Sequence, residues 1–417
     1  MNGFITENTG LDEKIVCGNA DNGIKYFIIP KTGFNFNGAV FTVGYGSKDV
    51  AFKDRNGLTV SPMGTAHFIE HKLFENKEGN AFDEFIKNNA EANAFTDFNR
   101  TAYYFYTSGD FYKNLDILVD FVTEPYFEKD SVEREKSIIK QEIAMYGDDP
   151  FWQTYFDCIS KMYPKAPLGE IAGSQKSVEE ITDDMLYKCY GHFYRAANMA
   201  LICCGSIDPG RVEKALNRVK FNVGEYTGGE DGDFTAAGGE NTVRDMGLEV
   251  PVFSYGIPLK YDDRCGGIWM KSRIKVLMDI IAGNASRVYN NLYSSGILKE
   301  PLGFEYVCGD GYGFMVFSGA SKEYEKAAET IKSCILRFLS DGIPEGDFEM
   351  CRRKARGRFI RGFNSIDAVC MAQTDIGLGQ GTLLQFYDEI CTMTKFELEE
   401  ILNRYIDLKA AVLSAAK

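Results

Sequence analysis

This 417-residue sequence has few histidines, no closely paired cysteines and no long apolar runs. Each of these features excludes certain classes of protein. No run of about eighteen apolar residues occurs, so we expect no membrane-spanning helix. Residues 1–8 contain neither a basic region nor an apolar core, so we expect no secretory signal peptide. Basic residues are the minority, with 46 against 60 acidic residues and a net charge of −14. This charge argues against nucleic acid as a partner, because a binding face for it needs clustered lysine and arginine.

The cysteines lack the spacing of a disulfide framework or a zinc ribbon. Eleven of them are scattered from Cys17 to Cys391 without a C-x-x-C pair, and their number is odd. Reduced, mostly buried cysteines are typical of cytosolic proteins, so we predict a cytoplasmic location and no membrane partner. Hydrophobic residues make up 45% and charged residues 25%, as in ordinary globular proteins, and the length allows about two to four domains.

Two of the three histidines lie in one short segment, residues 64–74, in the order H-x-x-E-H. On a helix His67 and His71 share a face, and Glu70 projects beside them. Two imidazoles one turn apart can bind one Zn²⁺, and an adjacent carboxylate can accept a proton from water. The order is that of the H-E-x-x-H zinc-protease motif reversed. The alternative is an amphipathic helix that carries two histidines. His192, the third histidine, lies far from the motif and is interpreted as structural.

A catalytic zinc has three protein ligands as a rule, and residues 130–146 offer the third. Glu135, Ile138, Ile139 and Glu142 fall at i, i+3, i+4 and i+7 of this predicted helix. The two isoleucines indicate that the face is buried, where a carboxylate must be paired or bound to a metal. The alternative is a helix with solvated glutamates.

The motif and the distal glutamate pair resemble the pitrilysin/insulinase family of zinc peptidases. Residues 70–74 and 124–127 are most similar to a short bacterial branch of that family, called YmfH-like. Further matching segments are 93–96, 101–105, 148–150, 171–173 and 193–199. The resemblance implies a zinc-dependent endopeptidase that cleaves peptides or small unfolded or processed polypeptides.

The resemblance also implies a role for each residue of the site. His67, His71 and Glu142 are expected to hold one Zn²⁺ per chain, with Glu70 as the catalytic base. Glu135 is expected to orient a metal ligand.

A substrate-binding edge is expected at Asn93, Ala94 and Phe95, where an extended peptide would add as a β-strand.

The second half of the sequence repeats the first in outline, which predicts a duplicated α+β unit. We predict a metal-bearing domain at 1–221, a glycine-rich acidic linker at 222–242 and a degenerate second domain at 243–417. An offset near 216 puts Arg358 where Glu142 would fall, and the second copy has no H-x-x-E-H. The resemblance implies units like those of the mitochondrial processing peptidase, each an antiparallel-rich sheet covered by helices.

The resemblance further implies a dimer, in which two chains together enclose the peptide. The family's substrate-binding arginine and tyrosine, seven residues apart, find their nearest match in Lys299 and Tyr306. A paralogous chain that carries the arginine is therefore an expected partner.

Three alternatives stay open: a non-catalytic or weakly active subunit of a heterodimeric processing peptidase, a metal-dependent lyase for a thioether sugar, and a metal-stabilised binding module. The lyases are far shorter and use a cysteine base. Structural zinc sites are dominated by cysteine, and none lies near the motif.

Overall fold

Glycine-bounded apolar runs of the first half form strands, and amphipathic segments between them form helices. The computed structural model describes residues 4–8, 10–54, 57–77, 79–220, 227–230, 232–376, 378 and 381–417. Its strands in this half are β1 (Phe4–Asn8), β2 (Glu13–Asn19), β3 (Lys25–Pro30), β4 (Asn37–Val43), β5 (Ala51–Asp54), β6 (Gly57–Val60), β7 (Glu75–Asn76), β8 (Gly79–Asn80), β9 (Ala90–Thr96), β10 (Thr101–Thr107) and β11 (Met199–Gly205). Its helices are α1 (Thr65–Leu73), α2 (Ala81–Lys87), α3 (Phe111–Thr123), α4 (Lys129–Asp148), α5 (Pro150–Met162), α6 (Gln175–Glu179), α7 (Asp183–Phe193) and α8 (Pro209–Asn217), with a short 3₁₀ turn at Ala196–Asn198.

Seven of these strands form one sheet in the order β1-β2-β3-β11-β4-β10-β9. All neighbours are antiparallel except β3 and β11, which run parallel. Strand β9 pairs with β10 and is an edge of the sheet among the described strands. The remaining strands form two hairpins, β5-β6 and β7-β8.

The second half repeats this pattern. Its strands are β12 (Thr242–Arg244), β13 (Val252–Pro258), β14 (Gly303–Gly309), β15 (Tyr312–Ala320) and β16 (Val412–Ala416). Its helices are α9 (Ile268–Ala282), α10 (Arg287–Ser294), α11 (Tyr324–Asp341), α12 (Glu345–Gly362), α13 (Ile366–Ile376), α14 (Leu383–Thr392) and α15 (Lys395–Arg404). The sheet order is β12-β16-β13-β15-β14, and β16 runs parallel to β12 and antiparallel to β13, as β11 does to β3 and β4. The predicted duplicated α+β architecture is confirmed.

The two compact units of the structure are discontinuous in sequence, whereas the sequence analysis divides the chain into the contiguous ranges 1–221 and 243–417. The first unit comprises Met1–Ile143, Glu170–Glu230 and Ile360–Gln385; the second comprises Ala144–Gly169, Asp231–Phe359 and Phe386–Lys417.

Each half of the sequence therefore contributes one helix to the sheet of the other half. Helix α5 packs on β13 and β16, where the Cys158 thiol contacts the Val412 carbonyl at 3.3 Å. Helix α13 packs on β4 and β11. An amphipathic pattern shows that a helix has a buried face, but it does not show which sheet that face covers.

The predicted linker at 222–242 lies partly outside the described residues, at 222–226 and 231. Its described part is hydrogen-bonded. In the first unit the Glu230 amide donates to the Ala51 carbonyl at 2.8 Å, and in the second unit the Ala237 amide donates to the Met162 carbonyl at 3.0 Å.

All eleven cysteines are free. Over the described part of the chain, every helix is too short or too polar to span a bilayer.

Candidate metal centre

Helix α1, which carries the H-x-x-E-H motif, begins at a glycine that its surroundings require. Gly64 has a φ of 90°, in the region that favours glycine. A Cβ at this position would also lie 2.4 Å from the Ala172 carbonyl oxygen. Gly173, with a φ of 76°, approaches the Met63 carbonyl in the same way. Two interlocked glycine turns therefore fix where the helix starts and how its histidines are aimed.

The two histidines of α1 and Glu142 of α4 converge on one point. Glu142 Oε1 lies 3.6 Å from His67 Nε2, and Glu142 Oε2 lies 3.3 Å from His71 Nε2. The imidazole ring centres are 4.6 Å apart, as one helical turn dictates. One ligand atom from each of the three residues falls within 4.8 Å of the others. Helix periodicity and the packing of α1 against α4 thus bring the predicted metal ligands together.

Glu135 holds the opposite side of the His71 ring. Its Oε1 lies 3.0 Å from His71 Nδ1, and its side chain is 10% exposed. With Nδ1 protonated and donating to Glu135, His71 presents a lone pair on Nε2 toward Glu142. His67 Nδ1, in contrast, is buried without a hydrogen-bond partner among the described residues.

The electrostatics of this cluster call for a cation. Burial alone would lower the pKa of His71, but hydrogen bonds to Glu135 and Glu142 and the charge of Glu70 outweigh burial and raise it to about 10. Three carboxylates therefore surround the two imidazoles, an excess of negative charge that a bound cation would balance. Two imidazole nitrogens and one carboxylate are the donor set of a catalytic zinc, so the residues present fit this ion.

Glu70 belongs to the same cluster, but its carboxylate is held by the sheet. Thr96 Oγ1, at the end of β9, donates to Glu70 Oε2 at 2.6 Å. Thr101 lies opposite Thr96 in the sheet register, with their hydroxyls 3.2 Å apart, and donates in turn to the Tyr45 carbonyl at 2.9 Å. The sequence does not predict the contact of Thr96 with Glu70, because no spacing pattern links the end of a strand to a helix twenty-six residues earlier.

A polar contact between α1 and α4 is likewise not predicted by the sequence. Lys72, with a side chain that is 0% exposed, donates to Ser131 Oγ at 2.6 Å and forms a short ion pair with Glu75. Burial would raise the pKa of Glu75, but the hydrogen bonds from Lys72 and Ser131 lower it. The clamp Lys72–Glu75–Ser131 fastens the end of α1 to the first turn of α4. The sequence feature that could have indicated this contact is the position of Lys72 between His71 and the apolar residues Leu73 and Phe74.

The prediction that Ile138 and Ile139 share a buried face is wrong for Ile138. Ile139 is 1% exposed, whereas Ile138 is 54% exposed. Adjacent helical residues point about 100° apart, and the buried face of α4 ends between these two residues. Glu135 and Glu142 lie at the border of the buried face, from which they reach α1.

The predicted substrate edge lies beside Glu70. Asn93 is exposed, Ala94 and Phe95 are half-buried, and all three belong to the edge strand β9 that ends at Thr96. Among the described strands, β9 is hydrogen-bonded to β10 along one edge and to no strand along its other edge. That other edge can therefore pair with a peptide.

Tyr306 and Lys299 belong to the second unit. The Tyr306 hydroxyl, on β14, donates to the Cys265 carbonyl at 2.7 Å, and Lys299 is an exposed residue that follows α10. Their part in substrate binding stays a prediction. His192 stacks on Phe52, with ring centres 4.2 Å apart, and its Nε2 lies 2.9 Å from the Gly228 carbonyl, as suits a structural residue.

Two protein-family models match the chain. The model of insulinase (peptidase family M16) covers residues 60–170, and that of the peptidase M16 inactive domain covers residues 180–355. The first match contains the whole metal centre, and the second contains α9 and most of α12.

Individual proteins agree with these matches. A Bacillus subtilis protein named uncharacterized zinc protease YmfH is 35% identical over 406 residues, which are 94% of this chain and 93% of that protein. A Rickettsia bellii protein named uncharacterized zinc protease is 26% identical over 70% of this chain and 72% of its own. A crystal structure described as an M16-like peptidase, from Alicyclobacillus acidocaldarius, superimposes with a TM-score of 0.88 at 25% identity and covers 99% of both chains. A Helicobacter pylori protease shares the fold, with a TM-score of 0.81 at 14% identity and coverage of 97% and 100%.

Proposed function

Because the chain belongs to the insulinase family of peptidases, M16, we propose that it is a zinc-dependent endopeptidase. The observation that carries this proposal is the convergence of His67 Nε2, His71 Nε2 and the Glu142 carboxylate beside Glu70. These three residues would hold one Zn²⁺ per chain and leave a position open. When bound, zinc supplies a Lewis acid that lowers the pKa of a water molecule and polarises the scissile carbonyl.

Glu70 is the proposed general base. It accepts the proton of the attacking water and then delivers it to the leaving amine. Thr96 occupies one carboxylate oxygen, Oε2, which leaves the other free for the proton and fixes the plane of the carboxylate. Glu135 keeps the His71 ring oriented by holding Nδ1.

The substrate is proposed to add as a strand to β9. Main-chain hydrogen bonds along Asn93, Ala94 and Phe95 would place a peptide with little regard to its side chains, which suits unfolded or processed polypeptides. The small side chain of Ala94 lets the peptide backbone approach closely. Because β9 ends at Thr96, a peptide aligned on it would run past the Glu70 carboxylate.

A second chain is proposed to complete the chamber around the peptide, and a paralogous chain is the favoured partner. Tyr306 and Lys299 are the nearest match to the family's tyrosine and arginine, and this match would put a lysine in the arginine's place. Lysine is a point charge and cannot reproduce the planar two-point grip of a guanidinium. The match of residues 180–355 to the M16 inactive domain is compatible with a second candidate function, that of a weakly active or non-catalytic subunit of a heterodimeric peptidase. A cytoplasmic location is proposed from the eleven free cysteines.

Cleavage of an unstructured fluorogenic peptide tests the proposal. The zinc-loaded chain, alone or with a co-purifying paralogue, is expected to cleave the peptide, to lose activity on chelation and to regain it when zinc is returned. Absence of cleavage in both arms would favour the non-catalytic function. High activity of a chain shown by sedimentation to be monomeric at the assay concentration would contradict the two-chain chamber.

A further inference from the structure

The second half of α12 is strongly basic in an acidic protein. Six of the ten residues at 352–361 are arginine or lysine, and none is acidic, although the chain as a whole carries −14. Basic residues near the C-terminus of a helix stabilise the helix by interacting with its dipole, but this effect is confined to the last turn. Arg352, Arg353 and Lys354 lie two turns or more before the end of α12 at Gly362. The helix dipole therefore does not account for the whole cluster.

Few carboxylates neutralise these cations. Glu349 is shared by Arg352 at 2.9 Å and Arg353 at 3.9 Å. Asp279 is likewise shared by Lys354 at 2.7 Å and Arg358 at 3.8 Å.

In each pair the second cation lies beyond hydrogen-bond length and remains in solvent. The Arg353 side chain is 78% exposed and that of Arg358 is 60% exposed. Arg356, also exposed, interacts with the side chains of Tyr387 and Cys391, neither of which is a carboxylate. The surface of α12 therefore carries several guanidinium groups with unused donors.

A glycine lies in the middle of this basic surface. Gly357 is helical, and a Cβ built on it would meet nothing within 4 Å, so packing does not require a glycine there. Glycine weakens a helix interior relative to alanine, so the residue is costly without a packing reason. Arg353 and Arg361 stand one turn before and one turn after it on the same side of the helix. Because Gly357 has no side chain, the helix backbone is open to solvent between the neighbouring arginines.

We infer that this surface, formed by Arg353, Arg356, Gly357 and Arg358, binds an acidic segment of a polypeptide. Guanidinium groups bind carboxylates through paired, charge-assisted hydrogen bonds. The distance from Arg353 to Arg358 along the helix is about 7.5 Å, which matches about two residues of an extended peptide. The net charge of the chain opposes the longer contact that a nucleic acid would make. The choice of a polypeptide rests on the proposed peptidase function, which supplies one as substrate.

Binding can be measured apart from cleavage. The Glu70→Gln chain would be titrated into a fluorescein-labelled peptide with four consecutive glutamates, and into the same peptide with four glutamines, at low ionic strength. We expect anisotropy to show about tenfold tighter binding of the glutamate peptide, with the preference falling as salt is added. Equal affinity for the two peptides would overturn the inference, and so would tighter binding of an equally charged single-stranded RNA.

Two substitutions at one position give a matched comparison. Gly357→Ala should keep the preference, because it adds one methyl group in open space. Gly357→Glu should abolish the preference, because it places a carboxylate among the arginines while favouring the helix. A double change on the exposed face of α11, Lys326→Gln with Lys332→Gln, controls for general loss of positive charge. Equal melting temperatures would show that all variants fold.

The preference surviving in Gly357→Glu, or vanishing in the α11 control, would contradict the assignment. If the wild-type chain cleaves no peptide yet prefers the glutamate peptide, the proposed function fails and the anion site stands. If it cleaves peptides without that preference, the reverse holds.

Discussion

The helix pairs α1–α4 and α9–α12 hold the same place in the two copies of the fold, but their charges are arranged in opposite ways. In the first pair, His67 and His71 face Glu135 and Glu142, so both helices contribute groups that a cation would join. In the second pair, Asp279 of α9 faces Lys354 and Arg358 of α12. The positive charge there belongs to side chains. The first pair thus has an excess of negative charge that a cation would balance, and the second pair has an excess of positive charge.

This difference shows how one architecture can place a candidate metal cluster between two helices in one copy and an ion pair of side chains at the same place in the other. The two copies share the order of their central strands and of these helices, while the side chains between the two helices differ in charge. Metal dependence should therefore be confined to the first unit, and the predictions below test that separation.

Removal of a proposed ligand should have the largest effect. Glu142→Gln or His67→Ala leaves two ligands to compete with water for the ion, so zinc affinity should fall by roughly a thousandfold or more. Competition with a chromogenic chelator measures the affinity. Asp279→Asn, in the other helix pair, is the control and should leave zinc affinity unchanged. Zinc retained at wild-type affinity in both ligand variants would show that the ligands are misassigned.

Asp279→Asn should instead reduce stability. The Asp279 side chain is 4% exposed, and its loss would leave Lys354 and Arg358 without a counter-charge. Loss of one partner of a buried ion pair costs about 3–5 kcal/mol. Because Lys354 is 33% exposed, we expect about 2 kcal/mol here. Denaturant unfolding followed by circular dichroism measures the change. An unchanged midpoint would mean that the ion pair does not stabilise the second unit.

Lys72→Met should weaken the metal centre without touching a ligand. The variant keeps the length of the side chain but loses the contacts with Ser131 and Glu75 that fasten α1 to α4. Removal of groups that position metal ligands costs about 10- to 100-fold in affinity, and we expect the lower end. Lys326→Met, on the exposed face of α11, serves as the control. If both variants bind zinc like the wild-type chain, the clamp does not position the ligands.

Cleavage of the backbone in the predicted linker should have the smallest effect. The glycine-rich segment 222–242 is the expected site of the first proteolytic cut. Because α5 packs on the sheet of the second half and α13 on that of the first, the two fragments should stay together and keep their zinc. Size-exclusion chromatography of the nicked protein measures this. Separation of the fragments under native conditions would contradict the exchange of helices.

The sequence predicts those features that local periodicity determines. His67 and His71 must share a face if their segment is helical, and Glu135 and Glu142 must lie two turns apart on theirs. The offset near 216 between the two copies also predicts that Arg358 of α12 takes the position that Glu142 has in α4. Partners brought together by tertiary packing are different: the contact of Thr96 with Glu70 depends on where α1 lies against the sheet, and no spacing along the chain encodes it.

The exchange of α5 and α13 was beyond prediction for the same reason. An apolar face can be buried on either sheet, so the amphipathic pattern of these two helices does not predict which sheet each one covers. Ile138 shows the opposite failure, in which a real periodicity was extended by one residue too many.

The most direct test of the central claim, that Glu70 acts as a base beside a zinc held by three other residues, is one paired measurement on Glu70→Gln. The variant keeps the shape of the side chain and can still accept a hydrogen bond from Thr96, but it cannot take up a proton. We predict an unchanged zinc content by elemental analysis and a fall in peptide cleavage of at least about a hundredfold. Loss of zinc together with activity would make Glu70 a ligand, and cleavage at the wild-type rate would remove it from the mechanism.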